Sequence, residues 1–394
     1  MVHARTRIRL TLVAAALAAG GISIGLLGGG PRQSAPALGP IVVFGYNELG
    51  MHCMNEDFSE LTILPPFNTL RAQVIKRGDN PDIIEQEAVV KYTIPTNTRS
   101  FDKTNFWSYA DALFGVSLAP DVGLTGHGLS GTMSATPAGH WEVTGIPITP
   151  NTDSGHPDPY PLALITASKD GQTGSTQVVV PVSTEMSCNL CHHGPGISSA
   201  TDILRDHDTL HGTTLEQQKP VLCASCHADN ALGTPGVPGV SNLSSAMHGA
   251  HASRMDMVAL ENKCYACHPG VRTQCQRDIH LSLNIQCVDC HGGMEAVADP
   301  ARQPWIDEPR CSTCHNRPGF QFEQPGQLFK NSIGHGGVHC AACHGAPHAI
   351  TPTETAVDNQ QAIALQGHPG VIDTCTVCHT VQPQQPFFHS VEDD

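Results

Sequence analysis

Aromatic side chains are scarce in this 394-residue chain, where Phe, Trp and Tyr together make up 5%. From residue 188 onward only Tyr265, Trp305, Phe320, Phe322, Phe329, Phe387 and Phe388 occur. A stretch of about 200 residues with so few large apolar groups struggles to build a core from its own side chains. Charge is thin as well, at 14%, and basic charge thinner still: 21 Lys and Arg stand against 36 Asp and Glu, for a formal net charge of −15. That balance excludes nucleic acid as a target, since phosphate backbones are bound through basic patches. It favours basic, cationic or mineral partners, beside the plainer reading that acidity keeps the chain in solution. Beyond the N-terminus no apolar run is long enough to span a bilayer, so the body of the protein is expected to be soluble.

What the chain has in quantity is Gly (38), Pro (30) and Cys (16). Fourteen of the cysteines fall into seven copies of Cys-x-x-Cys-His: Cys188/Cys191/His192, Cys223/Cys226/His227, Cys264/Cys267/His268, Cys287/Cys290/His291, Cys311/Cys314/His315, Cys340/Cys343/His344 and Cys375/Cys378/His379. Chance at this composition gives about 0.04 copies, so the repetition is a signal. In a helical turn, residues three and four apart share a face. Two sulfurs can then reach the two vinyl groups of one porphyrin while the histidine points at its iron, the arrangement of c-type haem attachment. Paired Cys-x-x-Cys motifs also make zinc sites, and a single one makes a redox dithiol. Neither explains a histidine after every pair. Seven buried, covalently held porphyrins would supply the apolar surface that the side chains lack.

The N-terminus carries Arg5, Arg7 and Arg9, an apolar run from Leu10 to about Leu27, and then Gly28-Gly29-Gly30-Pro31. This is the layout of a secretory signal, read over residues 1–37, with an uncleaved membrane anchor as the alternative. Removal of residues 1–30, with three Arg and no acids, would take the formal charge to about −18. Fourteen haem propionates, fully ionised, would take it toward about −32.

Residues 38–185 hold no motif and read as an all-β, sandwich-like domain. Val90, Tyr92 and Ile94 alternate with Val89, Lys91 and Thr93, and further strands are expected at residues 41–46, 140–148, 162–168 and 176–183. The segment Gly45-Tyr46-Asn47-Glu48-Leu49-Gly50-Met51-His52-Cys53-Met54-Asn55 is too particular for a plain strand, yet suggests no chemistry of its own. Residues 186–394 read as a haem-organised domain of short helices with little regular secondary structure. Its motifs are too irregularly spaced for a solenoid.

A haem iron has a sixth position, and eleven further histidines lie in this region. His193, His211, His248, His251, His280, His335 and His348 are the expected second ligands. His207, His339, His368 and His389 stand in reserve. Met186, Met247, Met255, Met257 and Met294 are the competing donors. With two histidines the iron exchanges electrons but does not readily bind substrate. His52, His127, His140 and His156 read as structural, although His52 is also placed to cap a terminal haem. Cys53 and Cys275 lie outside the motifs. They read either as a disulfide between the two regions or as two independent buried thiols.

The motifs, together with the order of signal, β-rich region and Cys-x-x-Cys-His array, resemble the large multihaem c-type cytochromes of anaerobic, metal-reducing and related bacteria. The resemblance is firm over residues 188–379 and loose before them. It implies seven haem c groups on the seven Cys pairs, motif histidines as proximal ligands, and closely spaced haems in parallel and T-shaped pairs. Some members form extracellular filaments (nanowires), in which a histidine of one subunit can ligate a haem of the next. The expected function is therefore non-catalytic electron transfer in the periplasm, outside the cell or at its surface. Its partners would be other redox proteins, a mineral acceptor or further copies of the chain, with membrane contact only through an uncleaved N-terminus. The alternative is a multihaem reductase of a small oxyanion, for which the resemblance predicts a departure such as Cys-x-x-Cys-Lys. None occurs.

Overall fold

The segment Ile41–Asn47 forms a strand, β1, buried along its whole length. Its β-branched and aromatic residues suit a pleated surface that is covered on both sides. Because successive side chains point to opposite faces, the strand serves two cores. Ile41 and Val43 enter one, while Val42, Phe44 and Tyr46 enter the other. This computed structural model describes residues 36–320, 322–384 and 389. All but the last two residues of the expected leader lie outside them.

After β1 come β2 (His52–Cys53), β3 (Leu61–Thr62), β4 (Leu70–Lys76), β5 (Asp82–Ile83) and β6 (Val89–Thr93). A helix, α1 (Phe106–Phe114), is followed by β7 (Ser130–Thr132), β8 (Ser134–Ala135), β9 (Trp141–Val143), β10 (Leu162–Lys169), β11 (Gln172–Val179) and β12 (Val182–Ser183). Two antiparallel sheets result: β1-β4-β9-β8, with β5 paired to β4, and β11-β10-β6-β7. Leu70, Ala72 and Val74 of the first share a core with Val90, Tyr92, Ala163, Ile165 and Ala167 of the second. The alternation read at residues 89–94 is present, with Val90, Tyr92 and Ile94 inside.

One expectation for this stretch is corrected. It is not all β, because Phe106, Ala110 and Leu113 recur at helical spacing and bury one face of α1. Gly115 ends that helix in the left-handed conformation, its N–H donating to Asp111 O. The strand expected over residues 140–148 is also shorter, at Trp141–Val143.

From residue 188 the chain becomes a string of turns and short helices: α2 (Ser199–His211), α3 (Leu243–Ala252), α4 (Ile279–Ser282), α5 (Cys287–His291), α6 (Met294–Ala298), α7 (Cys340–His344) and α8 (Gln360–Gln366). A two-residue strand, β13 (Val221–Leu222), pairs in parallel with β3, as β12 does with β2. The composition changes at residue 185, but packing runs across it. Val42, Phe44, Tyr46 and Ile75 share the second core with Ala341, Ala342, Ala362, Leu365, Ile372 and Val377. Arg77 donates to the carbonyls of Thr376 (2.8 Å) and Val377 (2.9 Å). Arg277, with 1% of its side chain exposed, forms a two-pronged pair with Asp358 (2.7 and 2.8 Å), donates to Gly50 O and stacks on Tyr160. Among the described residues no helix is long and apolar enough to cross a membrane.

Candidate functional site: seven facing histidine pairs

Each Cys-x-x-Cys-His forms a single helical turn. In five of them the histidine N–H donates to the first cysteine's carbonyl at 2.8–3.1 Å: His192, His227, His268, His315 and His379. In the other two the turn is α5 (Cys287–His291) or α7 (Cys340–His344). Both sulfurs and the imidazole therefore come to one side of the turn, as the spacing requires.

The two cysteines of a motif are not equally enclosed by protein side chains. The first cysteine is partly buried in every motif, but Cys191, Cys226 and Cys314 are exposed, as are Cys267 and Cys290. The cause is the shortage of large apolar side chains after residue 188, which leaves too little protein to cover both sulfurs. Only in the sixth and seventh motifs does the second cysteine, Cys343 or Cys378, have a hydrophobic core to pack against. A thioether is a covalent bond and does not depend on enclosure, so Cys191, Cys226 and Cys314 would hold their porphyrins along an edge open to solvent.

Opposite each motif histidine stands a second histidine ring. The ring centroids are 6.3 Å apart for His192 and His251, 6.4 Å for His227 and His207, and 6.1 Å for His268 and His248. They are 5.9 Å apart for His291 and His348, 6.1 Å for His315 and His280, 5.8 Å for His344 and His389, and 6.3 Å for His379 and His335. Metal–imidazole bonds of about 2.0 Å, with about 1.2 Å from nitrogen to ring centre, put two axial imidazoles about 6.4 Å apart across one ion. All seven separations fit an iron between the rings. The interplanar angles run from 19° to 89°, so stacking preference does not set the distance.

Several of these rings are held by their other nitrogen. Nδ1 lies 2.8 Å from Ser241 O in His227, 3.0 Å from Asp79 O in His379, 2.7 Å from Ser244 O in His248 and 2.7 Å from Met247 O in His251. Asp278 takes His280 at 3.2 Å, Asp206 takes His192 at 3.4 Å, and Thr213 Oγ1 contacts His207 at 2.9 Å. An acceptor on Nδ1 fixes the tautomer and turns Nε2 toward the facing ring, which is how metal-bound histidines are usually oriented. Burial, together with neighbouring imidazoles, pushes His268, His344 and His348 down to about 4. They are therefore neutral, the form that binds a metal, across the ordinary pH range.

No family model, curated protein or solved structure matches this chain.

Of the seven second ligands expected from the sequence, His248, His251, His280, His335 and His348 face a motif histidine. His193 and His211 do not. His211 lies on α2 one turn beyond His207, is exposed, and has its ring 4.8 Å from the ring that does face His227. His193 is also exposed. His207 and His389, both held in reserve, take the remaining places. The sequence does not separate His207 from His211; the structure does, since Asp206 beside His207 anchors His192. His389 has no local signal, as it reaches back from the C-terminal segment. His368 instead lies 3.5 Å from Asp373 and 3.0 Å from Pro369 O.

The other histidines fall elsewhere. His339, 1% exposed, packs edge-on against buried His140 at 4.9 Å and stacks on Tyr46 at 6.0 Å. His140 Nε2 lies 3.6 Å from Glu142, which also binds Arg71 at 2.6 Å. His52 is buried and held down at about 4 by that burial, with no motif histidine against its ring among the described contacts. His127 Nδ1 contacts Thr144 O at 2.9 Å, and His156 is exposed.

Cys53 and Cys275 stand as free thiols near one another, with Cys275 adding to the effect of burial on Cys53. Burial pushes Cys275 up to about 12 and Cys53 higher still, so neither readily forms the thiolate that disulfide exchange needs.

The segment around Gly50 gains a purpose. A Cβ at Gly50 would collide with Pro347 O and His348 Cβ. His348 itself has φ +61°, a left-handed conformation that is costly for a residue with a side chain. Gly50 therefore admits the strained loop that aims His348 at His291, and Arg277 ties its carbonyl in place.

Proposed function

We propose that this chain is a seven-haem c-type cytochrome that carries electrons outside the cytoplasm, in the periplasm or beyond, through covalently bound, bis-histidine haems. The observation that carries the reading is the set of seven facing pairs, one per motif, at 5.8–6.4 Å. Among the described residues no cluster of three or more His, Cys, Asp and Glu is arranged to hold a metal alone. Two facing imidazoles per motif are the donor set the chain presents, and two trans imidazoles are what a porphyrin iron takes from a protein. The motif cysteines would hold the porphyrins and the facing histidines would hold the irons. The haems would supply reversible one-electron chemistry.

An oxyanion reductase needs an open coordination position, and every motif histidine here faces a second one. Ligation is complete within one chain, so a filament would not need to borrow a histidine from its neighbour. The β-rich, sandwich-like half is then a scaffold for the last two motifs, and other redox proteins or an extracellular mineral remain the fitting partners. The test is haem content per chain with low-temperature EPR, before and after cyanide or nitrite. Seven low-spin haems indifferent to either ligand are expected. A high-spin haem that binds them would make the reductase the better reading.

A further inference from the structure

We infer that the seven haem sites form one unbranched series in the order second, first, third, fourth, fifth, sixth, seventh motif, with ends at Cys223–His227 and Cys375–His379. The inference rests on the haem reading above and goes beyond it, because motif sequence alone would put the first site at an end.

The second and first sites are joined by α2. Its neighbouring residues Asp206 and His207 serve them separately, Asp206 at 3.4 Å from His192 Nδ1 and His207 facing His227. The first and third are joined by α3, where His251 faces His192 and His248 faces His268. These two side chains are three residues apart, on one face and about 4.5 Å along the axis. The second site is touched by the entry to α3, through Ser241 O to His227 Nδ1 at 2.8 Å and Leu243 N to Ala228 O at 2.9 Å. From Leu243, the first residue of α3, however, His248 and His251 lie about 7.5 and 12 Å further along, so α3 joins the first and third sites more closely than either joins the second through it.

The third and fourth sites meet at Asn262, whose side chain accepts from Cys264 N (3.1 Å) and donates to Cys287 Sγ (3.4 Å). The fourth and fifth take their second histidines from two strands of chain bonded side by side. Arg277 N donates to His348 O at 2.9 Å and Ile279 N to Ile350 O at 3.1 Å, immediately before His280. Phe322 links the fifth and sixth, with its ring 5.7 Å from His315 and 6.0 Å from His389, the partner of His344. The sixth and seventh share one core, in which Cys343 and Cys378 pack against the same residues and Ile372 N donates to Cys343 O at 3.1 Å.

Every consecutive pair is thus bridged by one residue, one helix or one hydrogen-bonded seam. Electrons entering at the second site must pass the first before reaching the rest.

Iron-edge anomalous diffraction from crystals of the holoprotein tests the order directly. The iron on His192 is expected between those on His227 and His268, with the His227 iron having a single near neighbour. An iron on His227 beside that on His268, with the His192 iron at the end, would overturn the order while leaving seven haems in place. Fewer than seven iron peaks would instead overturn the haem reading. In solution, Cys188→Ala/Cys191→Ala should leave one haem magnetically isolated by EPR, whereas Cys223→Ala/Cys226→Ala should leave six still coupled. The reverse pattern would also refute the order.

Discussion

Replacing His207 with alanine separates two histidines that the sequence offers almost equally. His207 and His211 sit four residues apart on α2, so their Cα atoms are displaced by about 6 Å along the axis. Only His207 has its ring 6.4 Å from that of His227. For His211 to replace it, α2 would have to slide by a full turn, against its Ser198 cap on Thr201 N and its Gly212 terminus. His207→Ala should therefore leave one iron in seven without a sixth ligand, moving about 14% of the low-spin signal to high spin. The reduced variant should bind about one carbon monoxide per chain. His211→Ala should bind none and keep the parent spectrum. The assay is EPR spin counting with carbon monoxide titration of the reduced protein. If His211→Ala opens a site and His207→Ala does not, the facing-ring argument is wrong for this motif, and the other six assignments lose their basis.

His389→Ala should open a second such site, at His344, with thioether attachment unchanged by mass spectrometry. Gly50→Ala should displace the Pro347–His348 loop, giving a lowered melting temperature together with a carbon monoxide-binding haem at His291; melting without ligand binding would show that the loop moves as a unit with its iron. Arg277→Met leaves Asp358 buried and unpaired, with 8% of its side chain exposed, and should cost about 3–5 kcal/mol in urea unfolding, part of which Arg277→Met/Asp358→Asn recovers. Glu142 is held at about 2 by the His140 imidazole and by Arg71, against the opposing effect of burial. Because its folded value is depressed, it contributes stability above about pH 4.5 that is lost as pH falls toward about 2, on the order of 2 kcal/mol after solvent screening. The stability gap between the parent and Glu142→Gln should shrink over that window, and a gap independent of pH would count against it.

The motif turns were legible because a five-residue spacing is local, and a helical turn is all it needs. The strands at residues 41–47 and 89–93 were legible for the same reason, since alternation or a continuous apolar run is written in consecutive residues. How far each sulfur is enclosed was not legible, because the exposure of Cys191, Cys226 and Cys314 depends on which motifs back onto a core supplied from elsewhere in the chain. The facing histidines were only partly legible, because a second ligand can come from any distance along the chain. His248 and His251 were suggested by their spacing on one helix, whereas His389 acts across 45 residues with no pattern to mark it. The helix at Phe106–Phe114 was missed because its aromatic and β-rich surroundings masked a three-residue apolar stripe. The Gly45–Asn55 segment was noticed but could not be explained, because its purpose lies in what it lets pass: a loop more than 290 residues later in the chain.

The two-faced burial of β1 bears on how the chain is assembled. Its inner face can close as soon as the neighbouring strands have formed, but its outer face waits for Ala341, Ala342, Leu365 and Val377. In a chain that emerges from its N-terminus, the first strand to appear is thus the last to be completed. An apolar seam stays open until the sixth and seventh motifs have folded against it. A chain that stops before then exposes Val42, Phe44 and Tyr46 to proteases, so folding of the final two motifs and survival of the whole molecule are decided at one place.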